Sequence, residues 1–78
     1  MARVLLFGRL ADVAGWRTRD IDGSSIAEIR AALASDAPLA EALEGRGVQV
    51  AVDRVIVRGE AALTAASEVA FMPPMSGG

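Results

Sequence analysis

The chain has 78 residues, 53% of them hydrophobic and 23% charged, with a formal net charge of −2. It contains no cysteine, histidine, lysine or tyrosine, which excludes zinc fingers, thiolate nucleophiles, disulfides, haem ligation, imidazole bases and lysine Schiff bases. This length supports one small core, the eight arginines are scattered rather than gathered into a nucleic-acid footprint, and the apolar runs are too short to span a bilayer.

In chain order, Arg3 to Phe7 reads as a strand with Val4 and Leu6 on one face and Leu5 and Phe7 on the other. Apolar side chains on both faces predict a position inside the sheet. Leu10 to Ala14 can make a short helical turn, stopped by Gly15. Trp16 to Ile21 reads as an edge strand, with Trp16, Thr18 and Asp20 alternating against Arg17, Arg19 and Ile21.

Ser25-Ile26-Ala27-Glu28 has the spacing of a capping box, in which the Ser25 hydroxyl accepts from the Glu28 amide while the Glu28 side chain reaches back. The helix it opens runs to about Ser35, with Ile26, Ile29 and Leu33 on one face. Asp36-Ala37-Pro38 opens a shorter helix carrying Leu39 and Leu43, which Gly45 ends. Val48 to Val52 alternates with a period of two, Val55 to Val57 is a β-branched run broken by Gly59, and Leu63 anchors a connection. Glu68 to Met72 forms the last strand, with Val69 and Phe71 facing inward.

That order, two strands, a long and a short helix, then three strands, predicts an α+β roll: a mixed sheet of about five strands with one main helix and one or two short ones. A β-grasp, or ubiquitin-like, domain has this form. Residues 1–72 make the domain and residues 73–78 a tail.

The tail carries the functional argument. No charged side chain follows Glu68. Pro73 and Pro74 fix φ and remove donors, so the chain leaves the sheet extended. Six extended residues reach at most about 20 Å. Gly77 and Gly78 have no Cβ, and so thin a tip can enter a narrow channel in another protein. A bare Gly-Gly also fits a frayed end, but here it follows Met72-Pro73-Pro74-Met75-Ser76 behind a compact domain. With no nucleophilic Cys, His or Lys available, the terminal carboxylate is the best remaining reactive group. Adenylation by ATP would activate it for attack by sulfide or by an amine.

The segment Glu68-Val69-Ala70-Phe71-Met72-Pro73-Pro74-Met75-Ser76-Gly77-Gly78 resembles the C-terminal signature of the small subunit of molybdopterin synthase. The opening Val4-Leu5-Leu6-Phe7-Gly8-Arg9-Leu10, Gly15 and the helix after Ser25 fall in the family's order, so the resemblance spans the chain. It implies a β-grasp sulfur carrier of the ubiquitin-like kind, not catalytic alone, which works as the carrier subunit of a sulfurtransferase complex. Gly78 would be adenylated by an enzyme related to ubiquitin-activating enzymes, which uses ATP, and then thiocarboxylated. The tail would enter the large subunit, in a heterotetramer, and pass sulfur to cyclic pyranopterin monophosphate. Gly77 would give the slender approach. The family's docking patch falls on Phe7, Ile56 and Met72, and Pro73, Pro74, Met75 and Ser76 of the tail would bind the partner with it. No bound cofactor or metal, no nucleic acid and no membrane are expected, and with no signal-peptide pattern the expected location is cytoplasmic.

The chain departs from the family in having Asp53 where Asn is common and Ala66-Ser67 where Gly-Asp is common. If that second turn keeps φ above zero, Ala66 would carry about 1 kcal/mol of strain. Three other readings stay open: a carrier for thiazole or cysteine synthesis, a ubiquitin-like modifier of lysines, and an interaction module with an inert tail. The Phe-x-Pro-Pro-x-Ser lead-in separates this chain from the first of these. Arg54 and Arg58 read as solvated surface, Trp16 as packing, and Asp12, Asp20 and Asp22 match no calcium-loop spacing.

Overall fold

A computed structural model describes residues 1–74. Its elements are β1 (Ala2–Leu6), α1 (Arg9–Ala14), β2 (Thr18–Ile21), α2 (Ile26–Leu33), α3 (Ala37–Leu43), β3 (Gln49–Val52), β4 (Val55–Val57) and β5 (Glu68–Met72). The five strands form one sheet in the order β2-β1-β5-β3-β4. The last strand lies at the centre, parallel to β1 and antiparallel to β3; β1 with β2 and β3 with β4 are antiparallel pairs. The expected mixed five-strand β-grasp roll is therefore what the chain forms, with β1 inside the sheet and β2 at an edge.

The core lies on one side of the sheet. Val4 and Leu6 of β1, Val50 of β3, and Val69 and Phe71 of β5 are buried against Ile26, Ile29 and Leu33 of α2, Leu39 and Leu43 of α3, and Leu10 of α1. Each strand contributes alternate residues because side chains on a strand point to opposite faces every second position.

The opening of α2 is closed more completely than the capping box requires. The Ser25 hydroxyl accepts from the Glu28 amide at 3.2 Å. The Glu28 carboxylate reaches back one residue further than expected, accepting from the Ser24 amide at 2.9 Å. The Ile26 amide donates to the Ala61 carbonyl at 3.2 Å, and the Ala27 amide to the Glu60 carboxylate at 3.2–3.3 Å. The first three amides of α2, those of Ile26, Ala27 and Glu28, are thus satisfied, two of them by a segment far away in sequence. Glu60 also sets a negative charge at the positive end of the helix.

Trp16 departs from the alternation read from the sequence. The chain bends at Arg17 before β2 begins. Trp16 therefore packs against the core, with the Arg19 guanidinium 4.6 Å from its ring centroid. It serves as a packing residue, as expected, but on the face opposite to that of Thr18. Gly45 lacks the positive φ of a helix stop: Glu44 caps α3 and Gly47, at φ 84°, makes the reversal.

The left-handed residues are also elsewhere than expected. Ala66 is not among the positive-φ residues, because hydrogen bonds around Thr64 and Ser67 close that turn without it. Instead Asp53 (φ 49°) and Arg54 (φ 71°) form the two-residue connection between β3 and β4. Right-twisted hairpins favour such turns, and Asp tolerates the first position. Asp53 is further tied to β5: its amide donates to the Glu68 carbonyl at 2.8 Å and its carboxylate accepts from the Glu68 amide at 2.9 Å. Among the described residues Arg54 has no such hydrogen bond. The variant Arg54→Gly is expected to gain about 0.5 kcal/mol, or roughly 2–4 °C in Tm, as relief of left-handed strain exceeds the entropy cost of glycine. A calorimetric melt showing an equal or lower Tm would count against this account of the turn.

Candidate functional site

The helices cover one face of the sheet and leave the other bare. Strand register defines what that face presents. Leu5 pairs with Ala70, Ala70 with Ala51, and Ala51 with Ile56, so these four form a row across β1, β5, β3 and β4. One step toward the C-terminal end of β5 lie Met72, level with Gln49, and Phe7, which follows Leu5 on the same face by alternation. Phe7 is 47% exposed and Ile56 50%, while Met72 and Leu5 are half-buried. Phe7, Ile56 and Met72, singled out from the sequence, therefore share one surface.

Ala51 and Ala70 make the floor of that surface shallow, with Leu5, Phe7, Met72 and Ile56 standing around it. The sequence reading missed both alanines and Leu5; the parity of Leu5 with Phe7, and of Ala70 with Met72, was the signal that could have found them. The charged residues that register places on this face, Asp20, Arg3 and Glu68, lie level with one another at the end of the sheet away from the tail. What remains is a mainly apolar surface of modest size, bordered by Thr18 and Gln49, the kind that marks a partner site.

The same end of the sheet releases the tail. The Phe7 amide donates to the Phe71 carbonyl at 3.2 Å, holding the last turn of β5 against β1. Pro73 is half-buried and Pro74 exposed. Beside them, on the helical side, opens a cleft of about 470 Å³ lined by Leu10, Val13, Ala42, Val48, Pro73 and Pro74, with Arg9 and Arg46 also on its walls. Met75, Ser76, Gly77 and Gly78, also singled out from the sequence, lie outside the described residues.

Other polar groups are committed elsewhere. A groove between α2 and β4 contains Arg30, Arg58 and Glu60, but the Glu60 carboxylate is engaged by the Ala27 amide of α2 and by the Ala61 amide at 2.8 Å, and the Arg30 guanidinium sits 5.4 Å from the Phe71 ring centroid. Arg54 and Arg58 are exposed, as expected of surface arginines. Among the described residues no three carboxylates gather into a metal site, and no helix is long and apolar enough to cross a membrane.

A five-stranded β-grasp sheet with a bare apolar face and a Pro-Pro exit at its central strand defines the chain as a ubiquitin-like protein. The sequence model of the ThiS family matches residues 4–78. The chain belongs to that family, whose members are ubiquitin-like sulfur carriers and modifiers. Carriers of this family work with partner enzymes.

Among solved structures the chain is similar to small archaeal modifier protein 1 of Haloferax volcanii, with 29% identity and a TM-score of 0.79 over 99% of this chain and 98% of that one. A second crystal structure of the H. volcanii protein gives 27% identity and a TM-score of 0.76 over 95% and 97%. The solution structure of the Methanosarcina acetivorans protein of the same name aligns with a TM-score of 0.82 over 99% and 95%, at 20% identity, and so bears on the fold alone. No curated protein sequence matches the chain.

Proposed function

We propose that this chain is the sulfur-carrier subunit of a molybdopterin synthase. A Gly78 carboxylate oxygen attacks the α-phosphorus of ATP within an adenylating partner, and pyrophosphate leaves. A sulfur nucleophile then attacks the acyl carbon, AMP leaves, and a thiocarboxylate remains on Gly78. Gly77 and Gly78 enter the large subunit of a heterotetramer, where the sulfur passes to cyclic pyranopterin monophosphate. The chain lends a backbone end rather than a catalytic side chain, consistent with its lack of Cys, His and Lys. ATP belongs to the activating enzyme, and the reaction's place is the cytoplasm.

The observation that supports this most is a juxtaposition. The bare apolar face holding Phe7, Ile56 and Met72 runs directly into the Pro73-Pro74 exit. A partner that docks on the face is thereby placed to receive the tail. An aromatic anchor at such a surface commonly contributes about 2 kcal/mol or more. Phe7→Ala is therefore expected to weaken binding to the large subunit on the order of 10–100-fold in calorimetric titration, with Tm little changed because Phe7 is outside the core. Unchanged affinity would remove the face from the interface.

The reaction itself is tested by incubating the chain with its adenylating enzyme, ATP and a sulfur donor, then measuring intact mass. Replacement of one terminal oxygen by sulfur, followed by molybdopterin formation on adding the large subunit and precursor, is the expected result. A second reading has its own support: the 29% identical H. volcanii protein carries the name of a modifier. Isopeptide-linked adducts in cell lysate without any thiocarboxylate form would favour that reading over the first.

A further inference from the structure

Four glycines among the described residues adopt positive φ: Gly8 (53°), Gly15 (82°), Gly47 (84°) and Gly59 (99°). Backbone conformation alone accounts for glycine at two of them, since a Cβ on Gly15 or Gly59 would meet nothing within 4 Å. Gly8 and Gly47 differ. A Cβ on Gly47 would come within 2.7 Å of Pro74 Cβ and 3.7 Å of its Cα, and a Cβ on Gly8 within 3.1 Å of Pro73 Cγ. Carbon atoms in ordinary contact lie about 3.5–4.0 Å apart. The two proline rings thus rest directly on the bare faces of two glycines.

The topology explains why these two glycines are in place. β5 lies between β1 and β3. Gly8 follows the C-terminal end of β1, which runs parallel to β5, and Gly47 precedes the N-terminal end of β3, which runs antiparallel to it. Both loops therefore flank the point where the chain leaves the sheet. Within the tail, each proline fixes its own φ and restricts the residue before it to extended conformations. The dipeptide is stiff by itself, but stiffness does not aim it. The contacts with Gly8 and Gly47 are what tie it to the domain.

We propose that Gly8 and Gly47 are positioning residues for the tail: they form a two-sided seat that holds Pro73 and Pro74 and fixes the point and direction from which residues 75–78 leave the domain. The seat gives its function to the tail reading above and rests on it in that respect, while its geometry stands apart from it. A docked domain delivers its end group productively only if the tail starts from a reproducible place. Misplacement by about 1 Å can cost on the order of 100-fold in rate.

The test compares two alanine variants of the full chain. Gly47→Ala adds a methyl group against Pro74; Gly15→Ala introduces alanine at nearly the same φ where the methyl group touches nothing. Both are expected to lower Tm through left-handed strain. Assayed well below Tm with the adenylating enzyme, Gly47→Ala is expected to lose on the order of 10–100-fold in kcat with KM little changed, and Gly15→Ala to keep both. Pro74→Gly, which removes the seated ring at an exposed position, is expected to share the kcat loss should Gly47→Ala fold poorly. In the unmodified chain, nuclear Overhauser contacts between Gly47 Hα and Pro74 Hβ, and between Gly8 Hα and Pro73 Hγ, are expected. Their absence, or wild-type kcat in Gly47→Ala or Pro74→Gly, would overturn the seat. If the unmodified chain is never adenylated, the carrier reading fails, and the Overhauser contacts still decide whether the seat exists.

Discussion

A chain lacking Gly78, or extended by one residue beyond it, is expected to form no detectable acyl adenylate and no thiocarboxylate, while its melting temperature stays within about 1–2 °C of the unmodified chain. The chemical half follows from elimination. Apart from the terminal carboxylate, the only carboxylates are those of the ten Asp and Glu side chains, none of them beyond Glu68 on the thin tail, so displacing the terminal one leaves no second route. The geometric half follows from the placement of the end: one extra residue moves the carboxylate by about 3.3–3.6 Å. Proximity and orientation contribute several powers of ten to such reactions, so a shift of that size should reduce the rate at least on the order of 10²–10³-fold. Stability is spared because, among the described residues, the buried core runs from Ala2 to Phe71 and the prolines that follow are not part of it. Intact mass after incubation with the adenylating enzyme reads the first half, and a thermal melt the second. An extended chain that still forms a thiocarboxylate at its new end would sink the proposal that Gly78 carries the sulfur.

The largest stability effect is expected at Phe71. It is 0% exposed, lies on the central strand, and is among the largest fully buried side chains. Phe71→Ala removes that packing and leaves a cavity that strands paired on both sides cannot readily close, a loss of about 3–5 kcal/mol. The Arg30 guanidinium over the ring adds a smaller cation–π contribution. Small domains have total stabilities toward the low end of about 5–15 kcal/mol. The variant should therefore melt roughly 15–30 °C lower and be partly unfolded at 37 °C. Ile56→Ala, half exposed on the bare face, should lose less than about 1 kcal/mol by comparison. Urea titration of both distinguishes the faces: similar midpoints for the two variants would mean that the bare face is part of the folding core.

These two expectations draw on different kinds of legibility. The alternation of Val69 and Phe71 against Ala70 and Met72 was readable along the chain, because strand periodicity is a local property. So was the helix opened by Ser25 and Glu28, whose cap joins residues three positions apart, and the Asp36 cap of the shorter helix, where the Asp36 carboxylate accepts from the Leu39 amide at 3.2 Å. Trp16 escaped the same rule because one bend at Arg17 reverses the parity that alternation assumes. The turn at Asp53 and Arg54 carries no Gly to mark its left-handed backbone, and contact with Glu68 on β5 helps to hold it. The Glu60 cap of α2 joins residues 33 positions apart, beyond any local pattern.

The candidate site divides in the same way. Phe7, Ile56 and Met72 come from the sequence as a patch that the family resemblance implies, and strand order is what puts them on a common surface. Before folding, Phe7 and Ile56 are simply apolar residues on strands with apolar groups facing both ways. The order β2-β1-β5-β3-β4 brings their strands into one sheet, and packing of all three helices on one side decides that they stay exposed. Gly47 is harder still, since nothing near it in sequence indicates that Pro74 will rest against it.

The four absent residue types are a property of the sequence by itself. Cysteine, histidine, lysine and tyrosine cannot be supplied by folding, so their absence already directs the proposed chemistry to the backbone end, and the Pro-Pro and Gly-Gly pairs already predict a stiff base and a thin tip. Tertiary structure decided where that base is anchored and which surface accompanies it. The reason is physical: composition and local periodicity are set by covalent neighbours, whereas a shared face and a glycine seat arise from strands and loops that meet only when long-range pairing closes the sheet.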